Sequence, residues 1–200
     1  MPKSKPTKIG EVIEASTGQF VAECYELHAP PPLGSLVKTS DGDVQIYGVV
    51  CNAATESIEP NRRPIARGRD EAAEENIYRQ HPQLSRLLRT TFDTLVVGHC
   101  KGEATSPLHY LPPRPPRVHS FVYICEQDEV CRFTQSLDFL PLLLSARAGT
   151  VDEIVAACLR QASCAHDDQR AFLVRSGKEL AILLGAELNR LNAILRRIRL

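Results

Sequence analysis

The first quarter of the chain is a series of short β-rich runs bounded by turn-forming clusters, the pattern of strands rather than helices. Two such runs, Ile9 to Glu14 and Gln19 to Glu26, flank "ASTG", a turn-forming cluster ending in glycine, and predict a hairpin. Three consecutive prolines in "HAPPPLG" then hold the backbone extended and exclude helix, delivering the chain to a strand at Leu36 and Val37. "SDGD" returns it, with Asp41-Gly42 as the turn, into "VQIYGVVCNAA". Gly48 within that strand predicts a bulge or sharp bend, as a small barrel needs where its sheet turns a corner.

The pattern changes after Ala54. "TESIEPNRRPIARGRDEAAEEN" brings prolines, then a basic cluster followed at once by an acidic one, and predicts an excursion from the sheet. "DEAAEENIYRQHPQLSRLLRT" reads as two helical pieces broken at Pro82, with Leu84, Leu87 and Leu88 on one face. Strand character resumes in "TFDTLVVGHCKG". The proline-rich linker "SPLHYLPPRPPRVH" follows, and "SFVYICEQDEVCRFT" is expected to form a further strand or hairpin, for about six strands in all.

Beyond Ser136 the period is helical. Ser136 is expected to cap the first helix and Thr150 the next, "DQRAFLVRSGKELAILLG" ends at Gly185, and "AELNRLNAILRRIRL" closes the chain. In that last helix Leu188, Leu191, Leu195 and Ile198 recur at spacings of three and four, an a/d-like stripe. The expectation is an α+β protein. A flexible N-terminus, residues 1–7, precedes a six-stranded, mostly antiparallel β-barrel over 8–134 with a helical insertion near 70–90, and a C-terminal α-helical domain covers 136–200.

Composition narrows the function less than the fold. The 200 residues include 24 Lys plus Arg and 24 Asp plus Glu, so no overall field draws the molecule to nucleic acid or an anionic membrane, and such binding would need a local patch. No apolar run follows the basic N-terminus as in a secretory signal, and none approaches the length of a membrane span. Seven scattered cysteines read as small buried hydrophobes of a reducing compartment, which makes a cytoplasmic location the expectation.

The run "IGEVIEASTGQFVAECYELHAPPPLGSLVKTSDGDVQIYGVVCNAAT" resembles the HAS-barrel, a small domain shared by HerA-type DNA-translocating ATPases and the N-terminal domains of rotary ATP synthase subunits. The resemblance is carried by an "IGxV" strand at Ile9 to Val12, a "GSLV" strand at Gly34 to Val37 and an "IYGVV" strand at Ile46 to Val50. It covers about the first 55 residues and extends through "VVGH" and "HSFVYIC". The layout is similar to stand-alone proteins of cyanobacteria. HerA-type proteins follow the barrel with an ATPase domain, whereas this chain has no G-x-x-x-x-G-K-[ST] phosphate loop. "RSGKEL" lacks the upstream glycine, so nucleotide hydrolysis is not implied. The resemblance implies ring-forming or subunit contacts, with an ATPase or another multi-subunit complex as partner and a homo-oligomer as an option.

Two interaction surfaces stand out. The loop "NRRPIARGR" carries Arg62, Arg63, Arg67 and Arg69, whose guanidinium groups suit phosphates or an acidic partner; alternatively Asp70, Glu71, Glu74 and Glu75 neutralise them internally. No aromatic residue is interleaved, so the stacking platform of a single-strand binder is missing. The last helix offers Arg190, Leu191, Leu195, Arg196, Arg197 and Arg199, although basic residues near a helix C-terminus also suit its dipole. "LPPRPPR", Leu111 to Arg117, is either a polyproline ligand or, the favoured reading, a strap held at both ends.

No chemistry-bearing motif emerges beside these surfaces. Six histidines and seven cysteines show neither C-x-x-C nor H-x-x-x-H, and the pairs Cys125/Cys131 and Cys158/Cys164 suit neither zinc nor a redox couple. There is no nucleophile elbow, and paired carboxylates stand at helix starts. The expectation is a protein without metal, cofactor or catalytic site that acts as an interaction or assembly module, with a nucleic-acid accessory role as the alternative.

Overall fold

The computed structural model describes residues 7–59, 63–102, 106–146 and 150–198. Six strands, β1 (Lys8–Ala15), β2 (Gln19–Cys24), β3 (Leu36–Asp41), β4 (Val44–Ser57), β5 (Leu88–Lys101) and β6 (Phe121–Ile124), form a closed barrel in the order β1-β2-β5-β4-β3-β6. Every pairing is antiparallel, and β6 closes the ring by pairing with both β1 and β3. Helices α1 (Glu74–Gln80) and α2 (Leu84–Leu87) form the excursion between β4 and β5, and α3 (Gln127–Phe133), α4 (Leu140–Leu144), α5 (Val151–Ser163), α6 (Gln169–Leu183) and α7 (Leu188–Arg197) follow the barrel. The expected α+β class, the six-stranded barrel, its helical insertion and the C-terminal helices are all present. Most of the expected flexible N-terminus, residues 1–6, lies outside the described residues.

The continuous apolar run "IYGVV" follows from burial on both faces. Ile46 and Val50 point into the barrel with Val12, Phe20, Val37, Phe92, Val96 and Val122. Tyr47 and Val49 point outward into a second core with Leu36, Val97, Phe133, Phe139, Leu140, Ile154, Leu159, Leu180 and Ile194. A strand covered on both sides loses the simple alternation of a one-sided sheet. The helices and the barrel therefore share a core.

Glycine is required at two places. At Gly48 the β4–β5 register shifts, as expected from the sequence, and an added Cβ would lie 2.3 Å from Thr94 Cγ2. Gly34 has φ +83° and an added Cβ would lie 2.4 Å from main-chain atoms of Ala157 and Cys158 in the middle of α5. A β-carbon there meets backbone that has no rotamer with which to yield.

Three sequence expectations are corrected. "EQDEVCRFT" is not strand but mainly α3, which starts where the Glu126 N–H donates to Glu129 Oε2 at 3.0 Å and Glu129 pairs with Lys38 of β3. Its strand-like residues serve packing instead: Phe133 is fully buried between Tyr47 and Phe139. Ser136 does not cap α4, which begins at Leu140 with Pro141 in its first turn; Ser136 Oγ accepts from the Asp138 N–H in a local turn. In α7 the buried residues are Leu191 and Ile194, joined by Ile198 just past its end, while Leu188 is 63% exposed.

Two histidines pin the end of α3. His109 Nε2 donates to the Phe133 carbonyl at 3.0 Å with its ring edge-on to Phe133 and Phe139, and His166 Nε2 meets Thr134 Oγ1 at 2.8 Å with its ring stacked on Phe172. Burial pushes both below the usual histidine range, helped at His166 by Arg175.

Gly34→Ala is expected to lower unfolding free energy by roughly 3 kcal/mol, from overpacking plus a left-handed backbone, a shift that urea titration would read directly. The two histidines make stability pH-dependent: unfolding frees them to take protons near the ordinary value of about 6.5. Their contribution is therefore complete above that pH and declines as pH falls through it. NMR titration should place both midpoints below that of an exposed histidine, and replacing both with Gln should flatten the stability profile just below neutrality.

Candidate docking surfaces

The arginine loop leaves the far end of β4 and returns to α1. Gly68 lies against Ile77, and the Glu71 N–H donates to the Gly68 carbonyl at 3.2 Å. Arg63, Arg67 and Arg69 are exposed, and among the described residues none forms an ion pair with Asp70, Glu71, Glu74 or Glu75. Arg62 lies outside the described residues. Ile65, between these arginines, is 78% exposed, so the loop presents an apolar side chain among three cations.

The basic residues of α7 divide into two groups. Arg190 donates to Asp152 at 2.6 Å and to Glu187 at 3.4 Å, and Arg197 reaches Glu153 at 2.9 Å. The Arg197 carbonyl accepts from Arg160, which itself pairs with Glu153. These contacts dock α7 onto the acidic first turn of α5, with Leu191 and Ile194 buried beneath. Arg196 remains exposed and without an ion pair among the described residues, and Arg199 lies outside them.

Leu195 faces a groove that the sequence did not single out. About 750 Å³ in volume, the groove runs between α6 and α7, floored by Leu173, Val174, Gly177, Ala181, Leu195 and Ile198. Its two charged lining residues, Arg170 and Lys178, are both cations, and neither forms an ion pair within the described residues. Positions 170, 173, 174, 177, 178 and 181 recur at spacings of three and four, one continuous face of α6. That periodicity was the available signal; the small residues Gly177 and Ala181 let the face stay concave. Val174 is 51% exposed on it.

The proline-rich linker lies across the barrel as a strap. Leu108 bridges His99, Pro112 and Pro116 are buried, and the Asp41 carboxylate holds Arg117 at 2.6 Å and Arg114 at 3.2 Å. Ser120 Oγ donates to the Ser40 carbonyl at 2.9 Å, and the His119 N–H donates to the Val12 carbonyl. The linker is thus fastened at both ends, as the strap reading requires.

The remaining polar side chains largely serve packing. Burial pushes the Cys158 thiol up to about 12 and those of Cys24 and Cys51 to about 11, which keeps them protonated and unreactive near neutrality. All seven cysteines are free, and among the described residues no group of three His, Cys, Asp or Glu side chains is placed to hold a metal ion. His28 bonds Tyr78, His99 meets the Tyr110 carbonyl, and His119 pairs with Glu11. The Glu11 carboxyl is held below the usual carboxylate range by hydrogen bonds from His119 and Tyr25. No helix among the described residues is long and apolar enough to cross a membrane.

No protein-family model matches the chain, and a search of curated proteins finds no match.

Proposed function

We propose that this protein is a non-catalytic docking module built on a HAS-type barrel, whose α6–α7 groove receives an acidic amphipathic helix of a partner protein. The groove carries this reading: an apolar floor long enough for several helical turns, bordered by cations only. Helix-in-groove recognition reads apolar anchors at spacings of three and four, and acidic residues beside those anchors would meet Arg170 and Lys178. The resemblance of Ile9 to Val50 to HAS-barrels makes an ATPase or another multi-subunit complex the expected setting, with the barrel as platform and the helices as adaptor.

A photo-crosslinking residue at position 174 should capture one protein in the native cell, and mass spectrometry should map the adduct to an acidic segment of helical periodicity. Val174→Asp together with Lys178→Glu should weaken that capture about tenfold or more, the cost of placing two like charges against the acidic helix. Adducts mapping to basic or extended segments, or capture unchanged by the double substitution, would defeat the reading.

A second reading rests on a different observation, the three loop arginines that form no ion pair among the described residues. Arg63, Arg67 and Arg69 would bind phosphates of nucleic acid, as an accessory protein of a DNA translocase would. Replacing all three with Ala should weaken binding and reduce the salt slope by roughly 0.9 for each duplex phosphate that is no longer neutralised. Titration of labelled duplex and single strand at low salt decides it: no binding, or an unchanged slope, eliminates the loop as a nucleic-acid site.

A further inference from the structure

The β4–β5 pair is much longer than the barrel wall it belongs to. Both strands run 14 residues, and their ladder continues from Val44↔Lys101 to Ser57↔Leu88. Their neighbours stop early. The β3 ladder ends at Leu36↔Val49, followed only by the Gly34 N–H donating to the Val50 carbonyl and the Val50 N–H donating to the Ser35 carbonyl. On the other side the β2 ladder ends at Glu23↔Thr91.

The two edges of this projecting arm are treated differently. Past β2, the β5 edge is covered: the His28 N–H donates to Thr90 Oγ1 at 2.9 Å, and His28 Nε2 meets Tyr78 of α1 at 2.7 Å. The β4 edge from Cys51 to Ser57 has no such cover among the described residues, and Asn52 through Glu56 are all exposed.

The register tells which main-chain groups face outward. The Ile58 N–H donates to the Leu87 carbonyl, and no register shift occurs between Asn52 and Ser57. Bonded and non-bonded pairs alternate in an antiparallel ladder, so Asn52, Ala54 and Glu56 bond β5. Ala53, Thr55 and Ser57 therefore turn their N–H and C=O groups away from it, along the open edge.

Natural edges are blunted by lysine, proline or bulges. The stretch from Cys51 to Ser57, "CNAATES", has neither lysine nor proline; its one register shift lies at Cys51, ahead of the outward residues, and its single charge, Glu56, is engaged with Arg89 at 2.8 Å across the β4–β5 ladder.

We infer that this edge pairs with the same edge of a second copy of the chain, antiparallel about a two-fold axis at Thr55. The chemistry is self-complementary, as an isologous interface demands. Centred on Thr55, the register places Ala53 opposite Ser57 of the second copy and Thr55 opposite Thr55, three bonded pairs that supply roughly six main-chain hydrogen bonds. Thr–Thr is a favourable cross-strand pair. On the alternate face Glu56 lies directly opposite the small Ala54, and the two Glu56 carboxylates, diagonal to each other across the axis, are each engaged by Arg89 of their own copy. This inference is independent of the groove and of the arginine loop.

Sedimentation velocity over a wide concentration range, read alongside amide hydrogen exchange, tests it. The expected result is a reversible dimer in which the amides of Ala53, Thr55 and Ser57 become protected as concentration rises. Ala53→Pro removes an outward N–H from each copy without touching the bonds to β5, and should weaken the dimer about tenfold or more, as the removal of two hydrogen bonds implies. Should that variant misfold, the amides of the unaltered protein still decide. A monomer at every concentration would overturn the inference, as would a dimer whose three amides exchange freely or protection that arises only when a different protein is added.

Discussion

The contact between the Gly34 main chain and the middle of α5 organises the molecule. A residue with φ +83° and no side chain lets the chain turn sharply against Ala157 and Cys158 and enter β3 at once. Upstream, Pro30, Pro31 and Pro32 lack the N–H groups that would continue a ladder along β4, so the chain leaves the sheet there. The close approach seats the helices on the barrel. By ending the partner strand of β4 at Val50, it also leaves the outer half of β4 with an edge unpaired among the described residues.

The helical layer follows from what the barrel's outward side chains need. Tyr47, Val49 and Val97 require an apolar cover, which Phe133, Phe139, Leu140 and the buried face of α5 provide. α5 is lined with small residues, Ala156, Ala157 and Ala162, which let strands and helices approach it closely. α7 then closes over α5 through Leu191 and Ile194, with Arg190 and Arg197 on the carboxylates of Asp152 and Glu153. Two of the basic residues of α7 are thereby used in assembling the fold, while Arg196 stays exposed and Leu195, half-buried against the core, lines the groove.

What the sequence made legible is what local chemistry specifies. The hairpins, the turn at Asp41-Gly42, the bulge at Gly48, the break at Pro82 and the helical period after Ser136 each depend on neighbours a few residues away. α3 was hidden because its start is completed by Lys38, which is 91 residues away from Glu129, and because its Phe133 satisfies an aromatic core rather than a strand. The roles of the α7 arginines were hidden for the same reason. Spacing places them near a helix end but does not reveal that the first turn of α5 offers Asp152 and Glu153. That Arg63, Arg67 and Arg69 stay apart from the acidic residues next to them in sequence is equally a matter of loop geometry.

The surfaces that remain differ in the force each can use, and that difference bears on how they could work together. The β4 edge offers neutral main-chain groups, whose pairing is short-ranged, directional and little affected by salt. The arginine loop would act through charge, an attraction that reaches further but weakens as ionic strength rises. The α6–α7 groove combines an apolar floor with a cationic margin, so a helix seated there would draw its affinity from the floor and its selectivity from the margin. An assembly using all three would keep its self-pairing constant while its choice of partner varied with ionic conditions. A symmetric pair formed through β4 would also present two grooves at once, raising the effective concentration for a partner that carries repeated helices.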